Sequence, residues 1–219
     1  MRLANSRTHG KLAHQGRRVR RNGEAPQEGD MITIDEAVAE MRRKGDIEWD
    51  DGEQWSEEDI AVFERDAAVY RERKSPARLK LPKQLKEFLL KHGSVGAETN
   101  NAFVINFPSG ARAKNEMVSV GHAVENMIND SRSFIPLLYG PNHDQLMPGR
   151  VPNGYVFMGT AEGGHAYLLM DGTNPENNAV YIWGLAYDPW GEGDNTLGIG
   201  KCADTLAEFL YNLRPYEDL

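Results

Sequence analysis

The chain has 219 residues, of which 40% are hydrophobic and 26% charged, and a net charge of −8. These proportions fit a globular protein and exclude wholesale disorder. A single cysteine, Cys202, excludes an intramolecular disulfide and suits a reducing compartment such as the cytoplasm.

Residues 1–30 are polar and aperiodic, and are read as a disordered basic tail. Residues 1–23 hold seven Lys/Arg and no acid, leaving about −15 on the remainder. No apolar stretch follows this tail, so a secretory signal peptide is not expected, and no run approaches the roughly 18 apolar residues of a membrane span. Met31 is a candidate native start. A nucleic-acid-binding arm is the functional alternative for the tail. No aromatic residues interleave its arginines as stacking platforms would require, and the acidic body repels nucleic acid.

Residues 31–55 read as an N-terminal helical extension and an acidic loop. Ala37, Val38 and Met41 fall at helical spacing over 34–44, Gly45 would stop that helix, and 46–53 is an acidic loop around Trp49. The main domain is expected over 56–219. Ser56 and Asp59 can cap a helix running to about Lys74, with Trp55 and Ile60 as its hydrophobic staple. Pro82 stands in the first turn of the next helix. Leu81, Leu85, Phe88 and Leu89 form its stripe, and Gly93 closes it. A strand over 102–107 follows, then a short strand over 117–120. Residues 121–128 read as a helix with Val124, Met127 and Ile128 facing inward. Residues 134–138 are apolar and 139–152 form a loop.

From Tyr155 the pattern is β. Strands over 155–160 and 165–170 flank Glu162-Gly163-Gly164, where glycines permit the positive φ of a tight hairpin. A turn over 171–178 and a third strand over 179–184 follow. A Gly-rich loop over 188–200 leads to a last helix, capped by Thr205 and Glu208, with Leu206, Phe209, Leu210 and Leu213 buried and Pro215 ending it.

The stretch Leu81-Pro82-Lys-Gln-Leu-Lys-Glu-Phe88-Leu89-Leu90-Lys-His-Gly93 resembles the first helix of the SUKH superfamily (Smi/Knr-type domains). Gly159-Thr-Ala-Glu-Gly163-Gly164-His-Ala-Tyr-Leu-Leu-Met-Asp171 resembles its glycine hairpin. Ala179-Val180-Tyr181-Ile182-Trp183 resembles its next strand, and Thr205-Leu206-Ala-Glu208-Phe209-Leu210 its closing helix. The resemblance spans about residues 60–215. It departs at His92-Gly93-Ser94-Val95-Gly96, where the family usually has Asn-Gly-Gly, and over 106–153, where no motif is shared. It implies an α+β fold, a mainly antiparallel twisted sheet with helices packed on one face. It also implies a non-catalytic protein-binding module, since the superfamily includes bacterial immunity proteins and a yeast cell-wall regulator. The expected partner is then a cognate toxin with a basic surface, and no cofactor or metal is implied.

The residues agree with a binding role. No pair of the six histidines has the i, i+4 spacing of a helical zinc site, and no partner cysteines exist. Cys202 would be a nucleophile only with a histidine brought close by the fold; burial as a small apolar residue is the plainer reading. No nucleophile elbow or phosphate loop occurs. Asp188, Glu192 and Asp194 surround Trp190 in one loop. Their spacing is not that of an EF-hand, so a calcium site or a metal-dependent hydrolase is the rival to a protein-binding edge there. The candidate contacts are Glu162, Trp183, Tyr187, Asp188, Trp190, Glu192 and Asp194. A regulatory or scaffold protein of the same fold, binding endogenous partners, is the alternative to an immunity protein.

Overall fold

The structure, a computed structural model, describes residues 31–44, 47–50, 54–71, 79–97, 101–105, 116–124, 151–152, 154–184, 199–215 and 218. Residues 32–219 form one compact unit. Among the described residues the elements run α1 (Ile34–Lys44), β1 (Ile47–Asp50), α2 (Glu57–Arg71), α3 (Lys83–His92), β2 (Ser94–Ala97), β3 (Asn101–Ile105), β4 (Glu116–Val124), β5 (Tyr155–Ala161), β6 (Ala166–Asp171), β7 (Val180–Gly184), β8 (Ile199–Ala203), α4 (Leu206–Asn212) and β9 (Arg214–Pro215). The fold is α+β, and every described strand pair is antiparallel.

The strands follow the order β1-β2-β4-β5-β6-β7-β8. β3 pairs with the first half of β4 and with β9, and it also approaches β8, so the sheet curls. Chain neighbours joined by short turns pair side by side, as the hairpin pattern predicts. The central strands β5 and β6 are buried at nearly every position, hence on both faces.

The helices start where polar side chains answer their free N–H groups. Ser56 Oγ accepts from Asp59 N at 3.1 Å, and Asp59 Oδ2 accepts from Ser56 N at 2.8 Å. Trp55 and Ile60 are both buried beside this cap. Thr205 Oγ1 accepts from Glu208 N at 3.0 Å, while Glu208 reaches back one residue further than a simple box, to Asp204 N at 3.0 Å. Pro82 proves to be the cap of α3 rather than its first helical residue. Two of the free donors of α3 are answered from outside the helix: Lys83 N donates to Pro175 O at 2.9 Å and Gln84 N to Asn178 Oδ1 at 2.9 Å. Gln84 Oε1 in turn accepts from Ala207 N at 3.0 Å, so α3 helps to cap α4.

Helix α1 buries Ile34, Ala37, Val38 and Met41, the side predicted from spacing. At its end Lys44 donates to Tyr211 O and, at 2.8 Å, to Leu213 O, closing the C-terminus of α4. Burial lowers the Lys44 pKa, with Glu40 beside it acting the other way. Exposed lysines of α3 pair with other elements: Lys86 with Glu57 at 2.7 Å, Lys91 with Asp35 at 3.2 Å and Lys83 with Glu176 at 2.6 Å. Each such surface pair contributes at most about 1 kcal/mol.

Two expectations, for residues 47–50 and 121–124, are corrected. Residues 47–50 are not loop but strand β1, at the end of the sheet order beside β2. Residues 94–97, where the shared motif lapsed, form β2. Residues 121–124 are not helical: they continue β4, which takes a bulge at Gly121 between the pairs Val120–Ala161 and His122–Thr160. The extra residue shifts the alternation so that Ala123 is buried and His122 exposed, and a second irregularity against β2, between the pairs Gly96–His122 and Val95–Val124, leaves Val124 buried beside it, which imitates a helical pattern. Met127, Ile128 and the stretches 134–138 and 139–150 lie outside the described residues.

Candidate functional site

Directly opposed residues in an antiparallel ladder project to the same face, so register alone sorts the side chains. A Cβ added to Gly172 would meet Val156 Cγ2 at 2.7 Å and Leu79 Cδ2 at 2.8 Å, which puts Val156 on the side where the lead-in to α3 lies. Met170, paired with Val156, shares that side. Alternation then turns Tyr155, Phe157, Tyr167, Leu169 and Asp171 to the other.

Two rows cross that other face. One is His122–Thr160–Tyr167–Trp183–Ile199 and the next Phe157–Leu169–Tyr181–Lys201, with Tyr155–Asp171 beyond. The centre is aromatic. The Phe157 and Tyr167 rings meet edge-on at 5.1 Å, Tyr167 and Trp183 lie 5.9 Å apart, and Tyr155 meets Tyr181 edge-on at 5.5 Å. The margin is polar: His122 and Lys201 are exposed, Thr160, Asp171, Tyr155 and Tyr181 half-buried. His122 Nδ1 lies 3.3 Å from Thr160 Oγ1. Burial, with Tyr181 and Asp171 nearby, raises the Tyr155 pKa. Phe157, Tyr167, Leu169 and Trp183 at the centre are buried, so only the margin of this face, His122, Tyr155, Thr160, Asp171, Tyr181 and Lys201, is accessible to a partner.

At one end the rows run into the hairpin tip. His165 N donates to Glu162 O at 3.2 Å across Gly163 (φ 63°, ψ 29°) and Gly164 (φ 88°), the φ pattern of a type I′ turn. Glu162 itself has φ 50° and is the one non-glycine residue with positive φ among the described residues. A left-handed L-residue carries roughly 1–2 kcal/mol of strain. Gly163, Gly164 and His165 are exposed, and a Cβ on either glycine would meet nothing within 4 Å.

At the opposite end Asp171 organises the next turn. Its Oδ1 accepts from Thr173 N at 2.8 Å and Thr173 Oγ1 at 2.7 Å, and its Oδ2 from Asn177 Nδ2 at 3.0 Å. Burial pushes the carboxyl up, but these bonds together outweigh it and hold its pKa below the ordinary aspartate value.

The candidates divide accordingly. Glu162 sits on the tip, half-buried. Trp183 is corrected: it is 0% exposed, and a side chain with no accessible surface makes no partner contact in this state. Its strand is buried on both faces, so alternation could not place it outside. Tyr187, Asp188, Trp190, Glu192 and Asp194 lie outside the described residues. Sequence reasoning missed His122, Thr160, Tyr155, Tyr181 and Lys201; they come together only through non-local register. It also missed the Thr33–Glu36 cap of α1, although the spacing signals it.

Chemically the face offers hydrogen bonds, ring surfaces and charge. Cys202 lies in β8, just before α4, and burial pushes its thiol well above the ordinary value, away from the reactive thiolate. Among the described residues no group of three or more His, Cys, Asp or Glu could hold a metal ion, and no helix is long and apolar enough to cross a membrane. A family model described as SMI1 / KNR4 family (SUKH-1) matches residues 54–212. No curated protein and no solved structure matches the chain.

Proposed function

We propose a function from one premise: the chain belongs to the SMI1 / KNR4 family (SUKH-1). It acts by binding a protein rather than by catalysis. The partner is a cognate bacterial toxin, which it neutralises in the cytoplasm as an immunity protein. The family match carries this reading; charge and surface chemistry support it. The balance of about −15 beyond the tail suits a basic partner, and if that partner is a nuclease its cleft is built for a polyanion. Steering of this kind speeds encounter and weakens as salt rises.

The test is direct. The protein encoded immediately upstream is co-expressed with this chain, and association is measured by pull-down and calorimetry at low and high salt. Saturable binding that slows in onset at high salt is expected. No binding at either salt sinks the reading. Binding only to a partner encoded elsewhere replaces it with the regulatory one.

A further inference from the structure

Resting on the reading that this chain binds a protein, we propose that the partner adds a strand to the outer edge of β1, and that this strand carries lysine or arginine at alternate positions.

Strand β1 ends the order β1-β2-β4-β5-β6-β7-β8 and, among the described residues, pairs with β2 alone. Backbone N–H and C=O groups on its other side point away from the sheet. An edge of this kind is a template on which an extended segment of another protein forms main-chain hydrogen bonds.

Register fixes which residues such a strand meets. Trp49 pairs with Val95, which is buried, so Ile47 and Trp49 fall on that face of the sheet. Glu48 pairs with Gly96, and Gly96 with His122, so Glu48 and Asp50 fall on the face of the His122–Thr160 row. The accessible margin thus continues from Thr160 and His122 over Gly96 to the edge at Glu48. Neighbouring strands lie about 4.8 Å apart, which sets Glu48 and His122 roughly 10 Å apart, and Gly96 puts no side chain between them. That gap suits the apolar stem of a long cationic side chain whose charge is held at the edge.

Charge selects the occupant. When two copies of β1 pair antiparallel with their acidic faces matched, acid stands opposite acid, and like charges directly opposite are destabilising. A register shifted by one residue turns Ile47 and Trp49 of one copy onto the acidic face of the other. A strand with Lys or Arg at every second position instead opposes Glu48 and Asp50 with the complementary charge. Charged residues on an edge strand also deter aggregation, a task that lysine performs as well as glutamate, so the sign of the charge separates the two roles.

The experiment compares the full chain with the double variant Glu48→Lys, Asp50→Lys, using the protein encoded immediately upstream as the binding probe. The double variant is expected to keep its Tm, as surface substitutions do, and to bind at least about tenfold more weakly. Hydrogen exchange at the amides of 47–50 in the unaltered chain should slow when the probe is added. Unchanged affinity in the double variant, or exchange over 47–50 as fast in the complex as in the free chain, overturns this proposal alone. A free chain already dimeric, with those amides protected before the probe is added, gives the edge to a second copy and overturns it too. Failure of the unaltered chain to bind overturns it together with the reading beneath it.

Discussion

The two ends of the β5–β6 hairpin are built on opposite plans. At the Asp171 end, each carboxylate oxygen, the following amides and the first donors of α3 are answered within one turn, and Gly172 is wedged between Val156 and Leu79. At the Glu162 end, three consecutive residues hold positive φ, and a Cβ on either glycine would meet nothing within 4 Å. Both ends lie inside the stretch that resembles the SUKH hairpin. Shared residues at the first end serve packing, because each has a partner to satisfy. At the second, Gly163 and Gly164 serve backbone shape.

Breaking the hairpin midway should erase the contrast. A Cβ at Gly159 would lie 2.0 Å from His122 O and 2.8 Å from Ala123 O, both β4 backbone that cannot rotate away. Gly159→Ala is therefore expected to cost about 3 kcal/mol or more, read as a collapse of the urea midpoint.

Next in size is Asp171→Ala, which leaves Thr173 N, Thr173 Oγ1 and Asn177 Nδ2 without their acceptor. A loss of about 2 kcal/mol by chemical denaturation is expected. The carboxyl has a depressed folded pKa, so its contribution is fully present above the unfolded value of about 3.8 and is lost as pH falls through the lower folded one. Asp171→Ala should accordingly flatten the acid limb of stability. An unchanged limb would show that the turn does not depend on the ionised group.

Gly164→Ala, at the open end, meets no atoms and adds only left-handed strain, so about 1 kcal/mol is expected. A loss equal to that of Asp171→Ala would mean the two ends are not different after all. The smallest effect is kinetic: Cys202 should resist Ellman's reagent in the native chain and react at once in denaturant. Rapid native labelling would contradict its raised pKa.

Local chemistry made much of this fold legible. The Ser56–Asp59 and Thr205–Glu208 caps, the stripe of α3 and the Gly163-Gly164 turn all act within a few residues, and each is found where spacing predicts. β1 was missed although Ile47-Glu48-Trp49-Asp50 alternates apolar and acidic residues: the run is only four residues long within an acidic stretch, and the pairing with β2 makes it a strand. β4 was half hidden because the Gly121 bulge shifts its period. The candidate surface was the least legible part. His122, Tyr167 and Lys201 share a face through four ladders, and Trp183 reads as an interface anchor in sequence but is 0% exposed in β7.

The family model begins at residue 54, yet α1 and β1 precede it and are built into this chain's core and sheet. A protein trimmed to the family boundary would lose four buried side chains, the lysine that closes α4 and the strand covering β2. The bare β2 rim would then invite strand addition between molecules. The inherited domain and the folded unit are thus different lengths, and a truncation that respects ancestry would be expected to aggregate.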